Sequence, residues 1–244
     1  MEKGGNGLDP ATSTDVKVAD AKVKNTTVMP KAAKTPARMS TAVALIEAAE
    51  YLFAKHGIEG ASLREIAVAA GSSNSFAVQY HFGGREALAQ AICDHRQEAF
   101  EARRAELLEQ PNDEPGQRSL SVILEAICRP LFEQYDREGR HSYANFLSSL
   151  RRSSAGDGWL GGDPPVRTAL IVRLREALPQ LDDDEFHRRY TLGFGMLLDA
   201  IQWHDRGMPG FQNAEAVLEE VLRVLKAIFE APARAIPRRR GGGR

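Results

Sequence analysis

Apolar positions recur with a helical period along most of the chain. Val43, Ile46, Ala49 and Phe53, with Leu45 and Leu52 beside them, are spaced by threes and fours, which predicts a helix from Arg38 with one buried stripe that ends at Gly57. Ser62-Leu63-Arg64-Glu65 has the form of a capping box, and Ile66, Ala67 and Ala70 give the helix it opens an inner face. Gly71 supplies a left-handed stop, after which Ser73 or Asn74 is expected to cap a short third helix to about Tyr80. A fourth helix is expected from Arg85 to about Gln110, up to the Pro/Gly/Asp break at Pro111–Gly116.

Beyond that break the period stays helical and no stretch alternates as a strand does, so the predicted fold class is all-α. Helices are expected over Arg118–Tyr135, with Pro130 inside, and over His141–Ser153, followed by a loop through Trp159. Asp163-Pro164 reads as a cap and first-turn proline for a helix to about Leu178, and Asp182–Asp184 favour another over Glu185–His204. Asn213 is expected to cap the last helix, to about Glu230. Its apolar positions Val217, Leu218, Val221, Leu222, Val224, Leu225, Ile228 and Phe229 are more than one core contact needs.

Residues 1–37 show no apolar period and read as a disordered basic arm, and 231–244 as an Arg-rich disordered tail. Between them the expected order is a three-helix unit over 38–84, a connecting helix over 85–110 and a helical domain over 111–230. At 244 residues, 43% hydrophobic and 27% charged, the chain is long and apolar enough to bury a core without staples. Its net charge of -1 conceals basic ends, +2 over 1–37 and +5 over 231–244, around segments of -3 (38–110) and -5 (111–230). Cys93 and Cys128 form neither a zinc pattern nor a disulfide framework. No secretory signal or membrane-length apolar run is read, and a cytoplasmic location without membrane contact is expected.

No dinucleotide fingerprint, P-loop, H-E-x-x-H or Cys/His cluster at ligand spacing occurs, and His141, His187 and His204 are scattered. No enzyme activity, cofactor or metal is therefore expected. Three short helices with a tight turn fit a helix-turn-helix, whose second helix enters the major groove of DNA, although many small helical cores share the spacing.

The residues narrow this reading. The run Ser62-Leu63-Arg64-Glu65-Ile66-Ala67, Ala70-Gly71, then Tyr80-His81-Phe82-Gly83-Gly84-Arg85-Glu86-Ala87-Leu88, preceded by Phe53-Ala54-Lys55-His56-Gly57, resembles the N-terminal signature of the TetR family of bacterial transcriptional regulators. The resemblance spans about Arg38–Cys93. Two departures stand out: the stretch between Gly71 and Tyr80 is one residue longer than the common form, and Gly84 replaces the usual capping Ser or Asn.

The resemblance implies that Tyr80 and His81 contact phosphates at the end of the recognition helix and that Arg85 holds another. By chemistry, Gln79 can present a bidentate amide to adenine and Phe76 and Ala77 can meet a thymine methyl, so base readout is placed among Ser75–Gln79, with Ser73 and Asn74 at the helix start. Arg64 can reach a guanine or a phosphate, Ser62 chiefly caps, and Phe82 belongs to the core. The basic ends, with Lys31, Lys34 and Arg38 on one side and Arg234, Arg238, Arg239, Arg240 and Arg244 on the other, are either solvated or backbone contacts.

For the remaining helices the resemblance implies a ligand-binding and dimerisation domain. A homodimer is expected through Tyr190, Leu197, Ile201, Val217, Leu218, Val221, Leu222, Leu225 and Ile228, within the wider apolar faces of the last two helices. A pocket for a small, hydrophobic effector is drawn from Ile127, Leu131, Phe146, Leu150, Leu174, Phe194 and Leu198, with Asn145 and Gln202 as polar members, although each also suits plain core. The function so implied is a repressor of a palindromic operator in double-stranded DNA, released by that effector. The acidic balance over 38–110 leaves a rival, a helical small-molecule- or protein-binding dimer that no longer reads DNA.

Overall fold

The computed structural model describes residues 40–109, 120–153 and 168–232. Among the described residues there are nine helices and no strand: α1 Thr41–His56, α2 Leu63–Ala69, α3 Ala77–Phe82, α4 Arg85–Leu108, α5 Leu120–Glu133, α6 Ser142–Arg151, α7 Thr168–Glu176, α8 Asp183–Asp205 and α9 Ala214–Glu230. The expected N-terminal arm, the Pro111–Gly116 break, Trp159, the Asp163-Pro164 start and the Arg-rich tail lie outside the described residues.

Local chemistry explains most of the boundaries. Ser40, not Arg38, opens α1, its Oγ accepting from Val43 N, and Gly57 closes it at φ 82° with its N–H on Phe53 O. The capping box of α2 is complete: Ser62 Oγ accepts from Arg64 N, and Ser62 N donates to Glu65 Oε2 at 3.2 Å. Gly71 ends it at φ 72°, with Gly71 N on Val68 O and Ser72 N on Ala67 O, both at 2.9 Å, the double bond of a Schellman stop. Asp182 and Asn213 cap α8 and α9 by accepting from Glu185 N and Ala216 N. Gly84 gives α4 no side-chain cap.

The core is continuous from α1 to α9. Leu45, Ala49 and Phe53 of α1, Ile66 and Ala67 of α2, Val78 of α3 and Leu88, Ala89 and Ile92 of α4 close the N-terminal unit. The same helix α1 also packs against α6, where the Phe53 and Phe146 rings stack at 6.2 Å, while α4 lies on α5 and α8 on α9. The N-terminal unit is thereby seated on the helices that carry the rest of the core.

Two expectations about the core change. Leu197, Ile201, Val217, Leu218, Val221 and Leu225 were expected at a dimer interface; they are buried inside the chain itself, because α8 and α9 spend those faces on each other and on α5 and α6. What the two helices leave outward is Leu192, 71% exposed, with Met196 and Trp203 on the same face of α8, and the partly exposed Leu222, Val224 and Ile228 on α9. Tyr190 is half-buried and stacks between Phe186 and Phe194. Likewise Leu131, Phe146, Leu150, Leu174 and Leu198, expected to line a pocket, are buried core, and Ile127 and Phe194 pack against that core.

Candidate functional site

The helix-turn-helix is built around an uncapped short helix. α3 begins at Ala77, later than the sequence implied, and no side chain caps it. Ser73 and Asn74 lie in the preceding loop, where Ser72 Oγ accepts from Asn74 N at 3.1 Å and Asn74 Oδ1 from Phe76 N at 2.9 Å. These bonds use the extra residue between Gly71 and Tyr80 to form a tight double turn.

Side-chain direction then sorts the expected contacts. Phe76 is 74% exposed and Tyr80 80% exposed, one turn apart on the outer face of α3, with His81 beside Tyr80 in an edge-on ring contact at 5.0 Å. Ser73, Asn74, Ser75, Gln79, Ser62 and Arg64 are also exposed. Ala77 is 3% exposed and faces the core, so of the two residues expected to meet a thymine methyl only Phe76 stands in solvent. Gln79 Nε2 donates to Gly83 O at 2.8 Å, closing the end of α3, where Gly83 stands at φ 80°. Phe82 is half-buried against the core.

Arg85 takes a different place from the one the motif implied. Its Nη1 donates to the carbonyls of Ile58 and Ala61, the latter at 2.5 Å, and its guanidinium lies 6.0 Å from the Phe53 ring centroid. It thus ties the first turn of α4 to the α1–α2 connection and positions the helix-turn-helix.

The residues that sequence reasoning missed join this unit to the rest of the chain. Glu50, buried on α1, takes a bidentate bond from Arg96 of α4 and a short one from Ser142 Oγ at the start of α6. Next to Ser142, His141 is fully buried, with Nδ1 2.6 Å from Asp205 Oδ1 at the end of α8. Burial alone would raise the Asp205 carboxyl, but hydrogen bonds and charge from His141, with a bond from Asn145, hold it below the ordinary carboxylate value. None of these positions has a sequence spacing that announces it, since each partner is contributed by a different helix.

A cavity of about 290 Å³ opens beside this chain of contacts. Asn145 and Gln202, the two polar residues expected in a pocket, both line it, together with Lys55, Ser149, Arg152 and Arg206. The expected apolar residues do not.

Two short helices joined by a tight turn, the second with a bare outer face, seated on further helices, have the form of a helix-turn-helix fold. Residues 45–92 match the family model described as bacterial regulatory proteins, tetR family. Solved structures share the fold over most of their length. A regulator described as TetR-family, from Rhodococcus sp., superposes with a TM-score of 0.51 at 18% identity, covering 76% of this chain and 98% of that one. A TetR-like regulator from Rhodococcus sp. RHA1 gives 0.51 at 15%, covering 78% and 97%. The fatty acid degradation regulator FadR from Bacillus halodurans gives 0.50 at 17%, covering 81% and 99%. No curated protein matches the sequence. The family model thus places a TetR-type helix-turn-helix at residues 45–92, the solved structures show a shared all-helical fold, and no helix of the described residues is long and apolar enough to cross a membrane.

Proposed function

We propose that this chain is a sequence-specific DNA-binding repressor that acts as a homodimer on a palindromic operator and is released by a small effector. The observation that carries the proposal is the outer face of α3: two large aromatic side chains, Phe76 and Tyr80, stand more than 70% in solvent one turn apart, flanked by His81 and Gln79. A monomer gains nothing by leaving Tyr80 bare on a six-residue helix and Phe76 bare at its start, whereas a duplex groove covers them.

In this reading Tyr80 and His81 bind phosphates, and Phe76, Gln79 and the Ser73–Ser75 turn meet base edges. Arg64 lies on the bracing helix within reach of the backbone. Arg85 acts through Ile58 and Ala61, as a positioning residue. Two chains pair through the outward faces of α8 and α9, with Leu192, Met196, Trp203, Leu222, Val224 and Ile228 replacing the buried residues first assigned.

The effector reading also changes. Lys55, Arg152 and Arg206 against the single acid Glu59 in the cavity lining favour a polar, anionic molecule over a hydrophobic one. Lys55, Gly57, Ile58 and Glu59 belong to the end of α1 and its connection to α2, while the other polar walls come from α6 and α8. A ligand there binds differently according to the angle between the two parts, which is the condition for coupling effector to operator.

The test is selection of bound duplexes from a random-sequence pool by the full-length chain. Enrichment of a palindrome bound far more tightly than random DNA is expected. Enrichment of nothing, with the chain folded and dimeric, would replace this reading with that of a helical binding module that no longer reads DNA.

A further inference from the structure

His141, at the start of α6, meets His204 and Asp205, neighbours in the last turn of α8, more than 60 residues further along the chain. One potential ligand atom from each of His141, His204 and Asp205 lies within 4.8 Å of the other two. Each imidazole is held by a backbone carbonyl: His141 Nε2 lies 3.1 Å from Phe132 O, and His204 Nδ1 lies 2.7 Å from Phe211 O. A carbonyl only accepts, so those two ring nitrogens carry protons. His204 Nε2 is thereby left with the lone pair, and His141 Nδ1 has one as soon as it gives up the proton it shares with Asp205 Oδ1 at 2.6 Å.

This is how metal-binding imidazoles are usually held, with one nitrogen anchored and the other presented. The carboxylate is anchored as well. Asp205 Oδ2 accepts from Asn145 Nδ2 at 2.6 Å and from His141 N at 3.1 Å. The cluster is sunk in the fold rather than spread on a surface: His141 is fully buried, and His204 and Asp205 are half-buried.

We propose that His141, His204 and Asp205 form a binding site for a first-row divalent transition ion of the zinc class. Two imidazoles and one carboxylate suit zinc, cobalt or nickel, whereas calcium and magnesium require oxygen donors. Three protein ligands leave a fourth position for water or another donor. Around one tetrahedral ion, ligand atoms stand about 3.4 Å apart, a spacing that falls within the 4.8 Å inside which the three now lie, so an ion fixes them at that spacing. The proton between His141 and Asp205 is displaced to solvent when the ion binds.

The location gives occupancy a consequence. His141 adjoins Ser142, which donates to buried Glu50 on α1. Asn145, which orients Asp205, also lines the cavity. An ion that ties the start of α6 to the end of α8 therefore sets the position of Ser142 against α1, and the ion is an effector in its own right. That consequence rests on the reading of the chain as a DNA-binding regulator; binding of the ion does not.

The experiment uses the full-length chain without a histidine tag, stripped with chelator and titrated with Zn²⁺ by calorimetry and with Co²⁺ by visible absorption. One ion per chain is expected, with a heat that varies with the ionisation enthalpy of the buffer and a Co²⁺ band of tetrahedral intensity. Asn145→Ala should weaken binding by ~10- to 100-fold, as loss of an outer partner does, and His204→Ala and Asp205→Asn by more. Absence of stoichiometric binding, or affinity unchanged in both His204→Ala and Asp205→Asn, would overturn the site. Operator affinity is then measured with and without Zn²⁺. A metal-dependent change lost in His204→Ala supports the effector role, and an unchanged operator affinity overturns that role alone. A chain that takes up the ion and binds no DNA at all refutes the repressor reading and leaves the site standing.

Discussion

Glu50 on α1 and Arg96 on α4 form a buried bidentate pair, Oε2 to Nε at 2.6 Å and Oε1 to Nη2 at 2.7 Å, with the Glu50 side chain only 2% exposed. Ser142 adds a third donor from α6, so one carboxylate holds three helices. Breaking such a pair from one side strands a buried charge. Arg96→Ala, which leaves Glu50 buried without its cation, is expected to lower unfolding free energy by about 3–5 kcal/mol in urea titrations, and adding Glu50→Ala should cost less than the sum of the two singles.

Arg85 offers a test of positioning against direct contact. With Nη1 shared by the carbonyls of Ile58 and Ala61, Arg85→Ala should destabilise the chain by about 1–3 kcal/mol and weaken DNA binding together. Weaker DNA binding with an unchanged thermal melt would return Arg85 to the phosphate role that the motif implied.

On α3, exposure predicts a clean separation of binding from stability. Tyr80→Phe and Phe76→Ala should leave stability within about 0.5 kcal/mol while reducing affinity, Tyr80→Phe by a similar factor for every duplex. Gln79→Ala should relax preference at one base position. Mobility-shift titrations against single-base operator variants distinguish the two patterns.

The proposed pairing through the outward stripe of α8 can be tested with one substitution. Leu192→Glu places a charge on a position 71% exposed in the single chain, so it should spare folding and convert dimer to monomer in light scattering. Leu218→Glu, by contrast, should unfold the chain, because Leu218 is core.

The two cysteines should be silent. Burial pushes both thiols up to about 12, so neither Cys93 nor Cys128 holds appreciable thiolate at pH 8. A disulfide-exchange reagent is expected to label neither in the native chain and both after denaturation; fast native labelling would show that the α4–α5 region opens.

Much of the N-terminal helical unit is legible in the sequence, because its signals are local. A capping box, a glycine stop and a periodic apolar stripe act over four to eight residues, and α1, α2, α8 and α9 end within a few residues of where those signals place them. α3 was placed too early because Ser73 and Asn74 have cap chemistry but spend it on turn bonds within the longer loop.

The sequence by itself determined that the chain is helical, where its N-terminal helices stop, and which motif they carry; short-range hydrogen bonding and helical periodicity suffice for that. It also marked α8 and α9 as having too much apolar surface for one contact. Only the tertiary structure decided which side of that surface turns inward, that Ala77 is core while Phe76 is not, that Arg85 grips backbone, and that His141, His204 and Asp205 meet. Those outcomes depend on crossing angles and on partners tens of residues away, and a period of 3.6 residues carries information about a helix face but none about what the face will meet.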